Sequence, residues 1–454
     1  MKKINLLSTK YHQSLFKSLR RQYSDNIDMY RDDVEEDYEN THLTDSFQNF
    51  FKEAIFNSNL DEYCALNWYW FQLIEKMVHV IGLHEELVVS DDFNLSDSED
   101  ELFNFWNESD YAKSFLTQLN DTKDLLLVSK SHLLLLEQQI IGFYLLHIGF
   151  IPNQEATYYN IPEIGDGENR VYSYRLNAFF SDVGTREGHI VSLTTDVDTL
   201  YVNGKKETNS INLFSDELLL LSSSSDIDSE LQTITSSVNK ALTVLKEIAP
   251  DLHETFTSFT KYIIPINEKG IVSYSMQMLP GYSCINMFER DFVDLIDDLL
   301  HENGHHFMNA ILNLEELIHE DDEKIYYSPW RRALRPIRGI YHAYFTFYWA
   351  YELFYRLALF IEQNPDQQHF NESEVLKIQT RFIEEYYMLT FCESDMKKAN
   401  KDGKLTIEGF EVFKIIHTRI ESHHQSVEAI ENRIQSAEIK ELKEHLAQTK
   451  SHYL

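Results

Sequence analysis

The stretch FERDFVDLIDDLLHENGHHFMNAIL, residues 288–312, decides how the rest of this 454-residue chain is organised. Its apolar residues recur at steps of three and four, which predicts an α-helix with one buried face. His301, Glu302 and His305 stand in that helix in the pattern His-Glu-x-x-His. Histidines four residues apart share one face of a helix, so this pair is spaced to bind a single divalent metal ion. We therefore predict a metal helix over residues 290–311.

Two neighbours of the histidine pair need separate roles. Glu302 can reach water bound to the ion, or it can support one of the ligands by a hydrogen bond. His306 directly follows the pair, but it points about 100° away from His305 on a helical wheel. We expect His306 to pack against the protein or to support the site rather than to bind the ion.

A third protein ligand is needed, because two histidines rarely hold a metal ion alone. The metzincin pattern requires a histidine at position 311, which is Ile311. A gluzincin site takes a later glutamate, and the acidic link after the helix offers four in a polar setting typical of solvated loops: Glu315, Glu316, Glu320 and Glu323. His342 is the other candidate, because it begins a helix predicted to be buried. The residues alone leave the third ligand open.

Four arginines crowd into the short segment between the metal helix and the aromatic helix that follows: Arg331, Arg332, Arg335 and Arg338. The planar fork of an arginine binds a carboxylate through two parallel hydrogen bonds. Charge balance is the simpler explanation in a chain with a net charge of −34. The position of the cluster beside the metal helix nevertheless favours a carboxylate-binding site.

Two segments together resemble a known family, the α-ketoglutarate-dependent HExxH-type peptide β-hydroxylases, which modify ribosomally made peptides. The segments are HENGHH at residues 301–306 and SPWRRALRPIRGIYH at residues 328–342. The second segment is the more specific, because Ser-Pro-Trp-Arg, Arg-Pro and a closing histidine rarely occur together by chance. The resemblance covers residues 279–342.

The resemblance implies an activity and a role for each site residue. It implies that three histidines hold Fe(II): His301, His305 and His342. Arg331 and Arg335 would bind the carboxylate of the co-substrate α-ketoglutarate, and Glu302 would position the substrate or support the site. The implied reaction uses O₂ to hydroxylate the β carbon of a peptide residue.

Two other functions remain open. A zinc peptidase would use Glu302 as the general base on a zinc-bound water, with a downstream glutamate as the third ligand. A metal-free binding protein would carry the motif without using it. Tightly held, stoichiometric metal in the purified protein would exclude this last function.

The composition indicates which binding partners and which cellular compartment to expect. The net charge of −34 argues against nucleic acid as a ligand and favours a cationic partner such as a basic precursor peptide. Three widely spaced cysteines indicate a reducing compartment rather than a disulfide framework. The first residues turn polar before the core of a signal peptide can form. Together these features predict a cytoplasmic protein, with the oligomeric state left open.

The predicted fold is α+β and predominantly helical. Residues 1–165 are expected to form a helical N-terminal region, a candidate for peptide binding, and residues 166–454 the catalytic region. The catalytic region should contain antiparallel β hairpins, the metal helix and C-terminal helices. Its β signals include an extended run at Val171–Phe180 and a hairpin turn at Asn203-Gly204.

A further hairpin is predicted from Tyr262–Ile266 and Ile271–Leu279, which are separated by the turn NEKG. Two long apolar stretches, Leu133–Pro152 and Tyr341–Ile361, resemble membrane spans in length. Both contain charged or polar side chains, so we predict that they are helices buried inside the protein.

Overall fold

The computed structural model of the chain describes residues 4–19, 21–22 and 225–453, apart from 261, 276, 278–280 and 320–321, together with five short strands between residues 170 and 221. The chain divides into two compact units. The first comprises Met1–Leu19, Val183–Thr195 and Asp216–Leu454, and the second comprises Arg20–Asp182 and Asp196–Ser215. The first unit contains every predicted site residue. The predicted boundary at residue 165 stays a prediction, because nearly all of residues 1–165 lie outside the described part.

The described part is α+β and predominantly helical, in agreement with the predicted fold class. Its nine helices are α1 (residues 9–19), α2 (Ser225–Ile248), α3 (Pro250–Phe259), α4 (Phe292–Leu312), α5 (Ile337–Gln363), α6 (Glu372–Lys401), α7 (Ile407–Ser422), α8 (His424–Ile434) and α9 (Ala437–Tyr453). Its ten strands are β1 (Arg170–Ser173), β2 (Ala178–Ser181), β3 (Thr185–Glu187), β4 (Ile190–Leu193), β5 (Leu218–Leu221), β6 (Tyr262–Ile266), β7 (Tyr274–Ser275), β8 (Tyr282–Asn286), β9 (Tyr326–Ser328) and β10 (Ala333–Arg335).

The main sheet is mixed, which corrects the prediction of antiparallel hairpins. Its strand order is β3-β4-β5-β6-β8-β7, and the pairs β4–β5, β5–β6 and β6–β8 are parallel. Only the two edge pairs, β3–β4 and β8–β7, are antiparallel. β8 is buried along its whole length. Strands covered on both faces are typical of parallel pairing, and a continuous apolar run does not reveal its partner from sequence.

One local β prediction was wrong in its pairing, and one predicted β run contains two strands. The hairpin of Tyr262–Ile266 with Ile271–Leu279 does not form, because β6 pairs with β8 instead and β7 lies on the far side of β8. The run Val171–Phe180 is divided between β1 and β2, which pair as an antiparallel hairpin in the second unit. The predicted turn at Asn203-Gly204 lies outside the described residues.

The metal helix α4 begins directly after the turn that follows β8. Asp291 caps it, because its side chain accepts a hydrogen bond from the backbone nitrogen of Asp294 (2.9 Å) while the Asp294 side chain accepts one from Asp291. This reciprocal arrangement satisfies two backbone donors that a helix start leaves unpaired. The helix is buried on most of its surface between the sheet and the other helices. Its bounds agree with the predicted 290–311 to within two residues.

Gly304, inside the motif, lets α4 approach α5 closely. A Cβ atom at this position would lie 2.6 Å from Cδ1 of Trp349 and 3.3 Å from the Cα of Thr346. Both neighbours belong to α5, and the indole is fully buried, so neither can move freely. One variable position of the His-Glu-x-x-His pattern is therefore restricted to glycine by packing.

Gly304→Ala is expected to lower the free energy of unfolding by about 1–3 kcal/mol, because the added methyl group overpacks the helix contact. Alanine is by itself roughly 1 kcal/mol more favourable than glycine inside a helix, and the destabilisation by overpacking should outweigh this gain. Urea denaturation measures the change. Gly339→Ala is the matched control, since a Cβ there would meet only the flexible side chain of Arg335, with Nε at 3.3 Å. Equal stability of the Gly304→Ala variant and the wild type would contradict the contact.

α5 forms the centre of the helical core, as predicted for Tyr341–Ile361. Its largest side chains are almost completely buried: Tyr341, Tyr344, Tyr348, Trp349 and Tyr351. Glu352 in the same helix is 0% exposed and accepts hydrogen bonds from Nε (2.6 Å) and Nη2 (3.1 Å) of Arg419. Among the described helices, α5 included, none is both long and apolar enough to cross a membrane. The other apolar stretch, Leu133–Pro152, lies outside the described residues.

The helix α1 belongs to the first unit although about 200 residues separate it from α2. The His12 ring packs edge-on against Phe259 of α3 (5.3 Å between ring centroids) and Phe307 of α4 (5.0 Å). Thr9 donates a hydrogen bond to Glu254, 245 positions later. α1 therefore supports the buried side of the metal helix.

Candidate metal centre

His301 and His305 meet on one face of α4. Their Nε2 atoms are 3.2 Å apart, and the ring centroids are 4.9 Å apart at an interplanar angle of 80°. Two nitrogens that bind one ion at about 2.1 Å, at about 90–110° to each other, lie about 3.0–3.4 Å apart. The observed spacing therefore fits two ligands of one ion without movement of the helix.

His342, in the second turn of α5, lies against the same pair. Its Nε2 is 2.6 Å from Nδ1 of His305, and the two ring centroids are 4.7 Å apart. The structure thus brings His342 next to His305, which lies 37 positions earlier in the sequence and is itself in contact with His301. His342 contacts the ring nitrogen of His305 that is not directed at His301, so His305 lies between the other two rings.

Glu302 is the third member of the group whose ligand atoms converge. One carboxylate oxygen and one nitrogen each of His301 and His305 all lie within 4.8 Å of one another. Glu302 is 2% exposed, and its Oε2 has no hydrogen-bond partner among the described residues. Burial raises the pKa of Glu302 to about 8; the Ser275 hydroxyl opposes this rise and the charge of Asp298 adds to it.

Burial keeps all three histidines neutral at pH 7. It lowers the pKa of His301 to about 4, although the nearby Asp297 carboxylate opposes the shift. It also lowers the pKa of His342 to about 4, with help from the charge of Arg338, and it lowers the pKa of His305 well below its usual range. A neutral imidazole offers the lone pair that a metal ion binds.

These observations test whether the residues fit a metal ion. Oε2 of Glu302 is buried without a hydrogen-bond partner in the described part of the chain, and Glu302 belongs to the converging group. Buried polar atoms are rarely left unsatisfied, so a bound ion or its ligand would supply the partner that this oxygen lacks. Neutral imidazoles with one carboxylate suit a divalent transition ion such as Fe(II) or Zn(II). The site therefore fits the predicted metals.

The four arginines lie on and after the β9–β10 hairpin. All are exposed, and none forms an ion pair with any described residue. Arg331 contributes to the lowered pKa of both His301 and His305, after the larger effect of burial, and Arg338 contributes in the same way to that of His342. The side chain of Arg335, a predicted carboxylate ligand, lies along Gly339 in the first turn of α5. Among these four arginines, Arg331 and Arg338 are the ones whose charges reach the histidines, and Arg381 of α6 also lowers the pKa of His301.

An aromatic wall, Phe347 and Trp330, covers His301. The Phe347 ring lies 4.4 Å from the His301 ring, and Trp330 stacks on Phe347 at 4.4 Å with an interplanar angle of 4°. Trp330 is part of the segment that carries the family resemblance. Phe347 was not predicted, although its position five residues after His342 on a buried helix places it near the site.

The remaining candidates lie elsewhere. His306 faces the sheet: it is 1% exposed, its Nε2 is 3.1 Å from Oγ of Ser283, and its Nδ1 accepts from the backbone nitrogen of Gly281 (3.3 Å). It therefore packs against β8, as one of its two predicted roles requires. Three candidate gluzincin ligands are exposed: Glu315, Glu316 and Glu323. The fourth, Glu320, lies outside the described residues.

Comparison with known proteins adds no further assignment. No protein-family model matches the chain, and no curated protein matches it. The functional reading of the site therefore depends on its own residues and geometry.

Proposed function

We propose that the chain is an Fe(II)- and α-ketoglutarate-dependent oxygenase that hydroxylates the β carbon of a residue in a ribosomally made peptide. One observation carries the proposal: three half-buried histidines lie in contact, and the neighbouring hairpin carries exposed arginines that form no ion pair with a described residue. Neutral ligands leave the positive charge of a bound ion uncompensated, which favours an anionic co-substrate. The arginines supply the hydrogen-bond donors that recognise its carboxylates.

In this proposal the ion is held by His301, His305 and His342. When bound, Fe(II) would supply the activation of O₂ that oxidation of an unactivated carbon requires. Arg331 would bind a carboxylate of α-ketoglutarate, together with Arg338 or with Arg335. The support for Arg338 is its effect on the pKa of His342.

The other residues of the site would orient the substrate and exclude water. Phe347 and Trp330 cover one side of His301 and limit the access of solvent to it. Glu302 is buried next to the histidine pair, within reach of the same ligand atoms. There it would support the site or position the substrate through its carboxyl group.

The proposed partner is a precursor peptide in the cytoplasm. The net charge of −34 favours a cationic peptide and disfavours nucleic acid. Residues 1–165, which lie almost entirely outside the described part, are the proposed place for recognition of this peptide.

A zinc peptidase is the second candidate, and the convergence of Glu302 with His301 and His305 favours it. Glu302 would act as the general base once the charge of the ion had lowered its pKa. Two points weaken this candidate. The predicted third ligands that are described are exposed, and a peptidase gives no role to the arginines.

An anaerobic absorption titration of the Fe(II)-loaded protein with α-ketoglutarate tests the proposal. We expect a weak visible charge-transfer band that needs both iron and α-ketoglutarate. Arg331→Ala should raise the Kd for α-ketoglutarate about tenfold or more, as loss of a charge-assisted hydrogen bond predicts. The variants Arg335→Ala and Arg338→Ala decide which arginine binds the second carboxylate.

Arg433→Ala is the control for this titration, because Arg433 is an exposed arginine of α8 that is ion-paired with Glu362. It should bind α-ketoglutarate like the wild type. A flat spectrum, together with tight zinc binding and peptide cleavage that Glu302→Gln abolishes, would replace the oxygenase with the peptidase.

A further inference from the structure

The tip of the β9–β10 hairpin carries Arg331 but has little structure of its own. Residues 329–332 connect Ser328 to its strand partner Ala333, and each strand has three residues. So short a hairpin is marginally stable alone. Within the tip, Arg332 adopts a left-handed backbone conformation (φ 47°), and the backbone nitrogen of Arg331 donates to Oγ of Ser328 (3.3 Å). Contacts outside the hairpin must hold the tip in one place.

Trp330 provides such a contact. Its Nε1 donates a hydrogen bond to Oε2 of Glu385 in α6 (2.9 Å), while its ring stacks on Phe347 of α5. The residue next to Arg331 is therefore fixed by a directional bond to one helix and by a flat aromatic contact with another. The hydrogen bond fixes the direction of Nε1, and the stacking fixes the plane of the ring.

Burial of the Glu385 carboxyl group at this point is unfavourable by itself. It is 0% exposed, and burial raises its pKa to about 8 against the opposing charge of Arg381. Arg381 lies 3.7 Å from Oε1 of Glu385 and also forms an ion pair with Asp297, one turn before His301 in α4. Oε1 of Glu385 has no hydrogen-bond partner among the described residues, and a buried polar atom without a partner is destabilising. Stability of the fold alone therefore does not account for a carboxyl group here.

We propose that Glu385 is a positioning residue which, through Trp330, holds the hairpin tip that carries Arg331 against Phe347, the ring that covers His301. Glu385 accepts its hydrogen bond from Trp330 and not from a proposed metal ligand, so its effect on binding would pass through Trp330. The inference rests on the proposed function for the identity of the ligand of Arg331, the carboxylate of α-ketoglutarate.

Two variants separate this role from simple packing. Glu385→Leu removes the acceptor and leaves Nε1 of Trp330 without its bond, whereas Glu385→Gln keeps an oxygen that accepts it. Glu393→Leu is the matched control. Glu393 is a buried glutamate two turns later in α6. Its carboxylate contacts Nδ1 of His417 (2.7 Å) and not the hairpin. All three variants are made in the full-length chain.

The first measurement is ¹⁹F NMR of the metal-free protein labelled with 5-fluorotryptophan. The chain has five tryptophans, and the Trp330→Phe variant assigns the resonance of Trp330. We expect Glu385→Leu to shift or broaden this resonance and leave that of the buried Trp349 unchanged. Glu385→Gln and Glu393→Leu should preserve the wild-type position. An unchanged Trp330 resonance in Glu385→Leu would overturn the proposal.

The second measurement is the affinity for α-ketoglutarate in the anaerobic Fe(II) titration. Glu385→Leu should raise the Kd about tenfold with unchanged iron content, and Glu385→Gln should stay within about threefold of the wild type. A moved Trp330 resonance with an unchanged Kd would disprove the link to Arg331. If the wild type itself does not bind α-ketoglutarate, the proposed function fails, and the resonance alone then decides whether Glu385 holds the tip.

Discussion

Replacement of His342 by alanine is expected to weaken Fe(II) binding on the order of 10²- to 10³-fold, because the proposed site would lose one of its three protein ligands. In the proposed site His342 is the third histidine ligand, and its loss would leave only the two imidazoles of α4. Iron content after dialysis, followed by a competition titration with a metal chelator, measures the effect.

Two further variants make the result interpretable. His319→Ala removes a histidine whose side chain is 54% exposed on the link after α4, so it should bind iron like the wild type. Glu302→Gln tests the other converging group, which contains a carboxylate in place of His342. If Glu302→Gln lost the metal while His342→Ala kept it, the ligands would be His301, Glu302 and His305, and the three-histidine site would be wrong.

The second large effect concerns the core rather than the site. Glu352→Ala should lower the free energy of unfolding by about 3 kcal/mol, because removal of one partner breaks a buried ion pair. The carboxylate is fully buried and accepts two hydrogen bonds from Arg419, and Nε of Arg356 lies 3.5 Å away. Glu352→Gln keeps the volume and one acceptor and should lose about half as much. Urea denaturation followed by circular dichroism measures both variants.

Arg433→Ala serves as the control for Glu352→Ala as well. Its ion pair with Glu362 is more exposed, so its loss should cost less than about 1 kcal/mol. Equal effects of Glu352→Ala and Arg433→Ala would show that the buried pair contributes no more than a surface pair does.

Helices could be predicted from the sequence because their signals are local. The apolar spacing before His301 indicated α4 to within two residues, and the aromatic run at 341–361 lies inside α5. The pairing of strands could not be predicted in the same way. β6 and β8 are short and apolar, and their parallel contact depends on residues about 20 positions apart with β7 between them in the chain.

The site residues likewise differ in whether a local sequence signal could predict them. The spacing of His301 and His305 is a property of one helix turn, so sequence alone brought these two residues together. The contact of His342 with His305 depends on how α5 packs on α4; its place at the start of a buried helix left it one of several candidates, and the family resemblance favoured it. The roles of Glu385 and Phe347 were not predicted, because they arise where three separate helices and a hairpin tip meet.

The position of α1 has a consequence for how the chain folds during synthesis. Its partner Glu254 follows Thr9 by 245 residues, so at about 5–20 residues per second roughly 10–50 s pass before that partner is made. Through this interval the apolar face of α1, with Leu15, Phe16 and Leu19, has none of its final contacts in α3 and α4. Closure of so long a loop also slows the final docking step. The contacts that α1 makes with α3 and α4 can therefore form only late in synthesis.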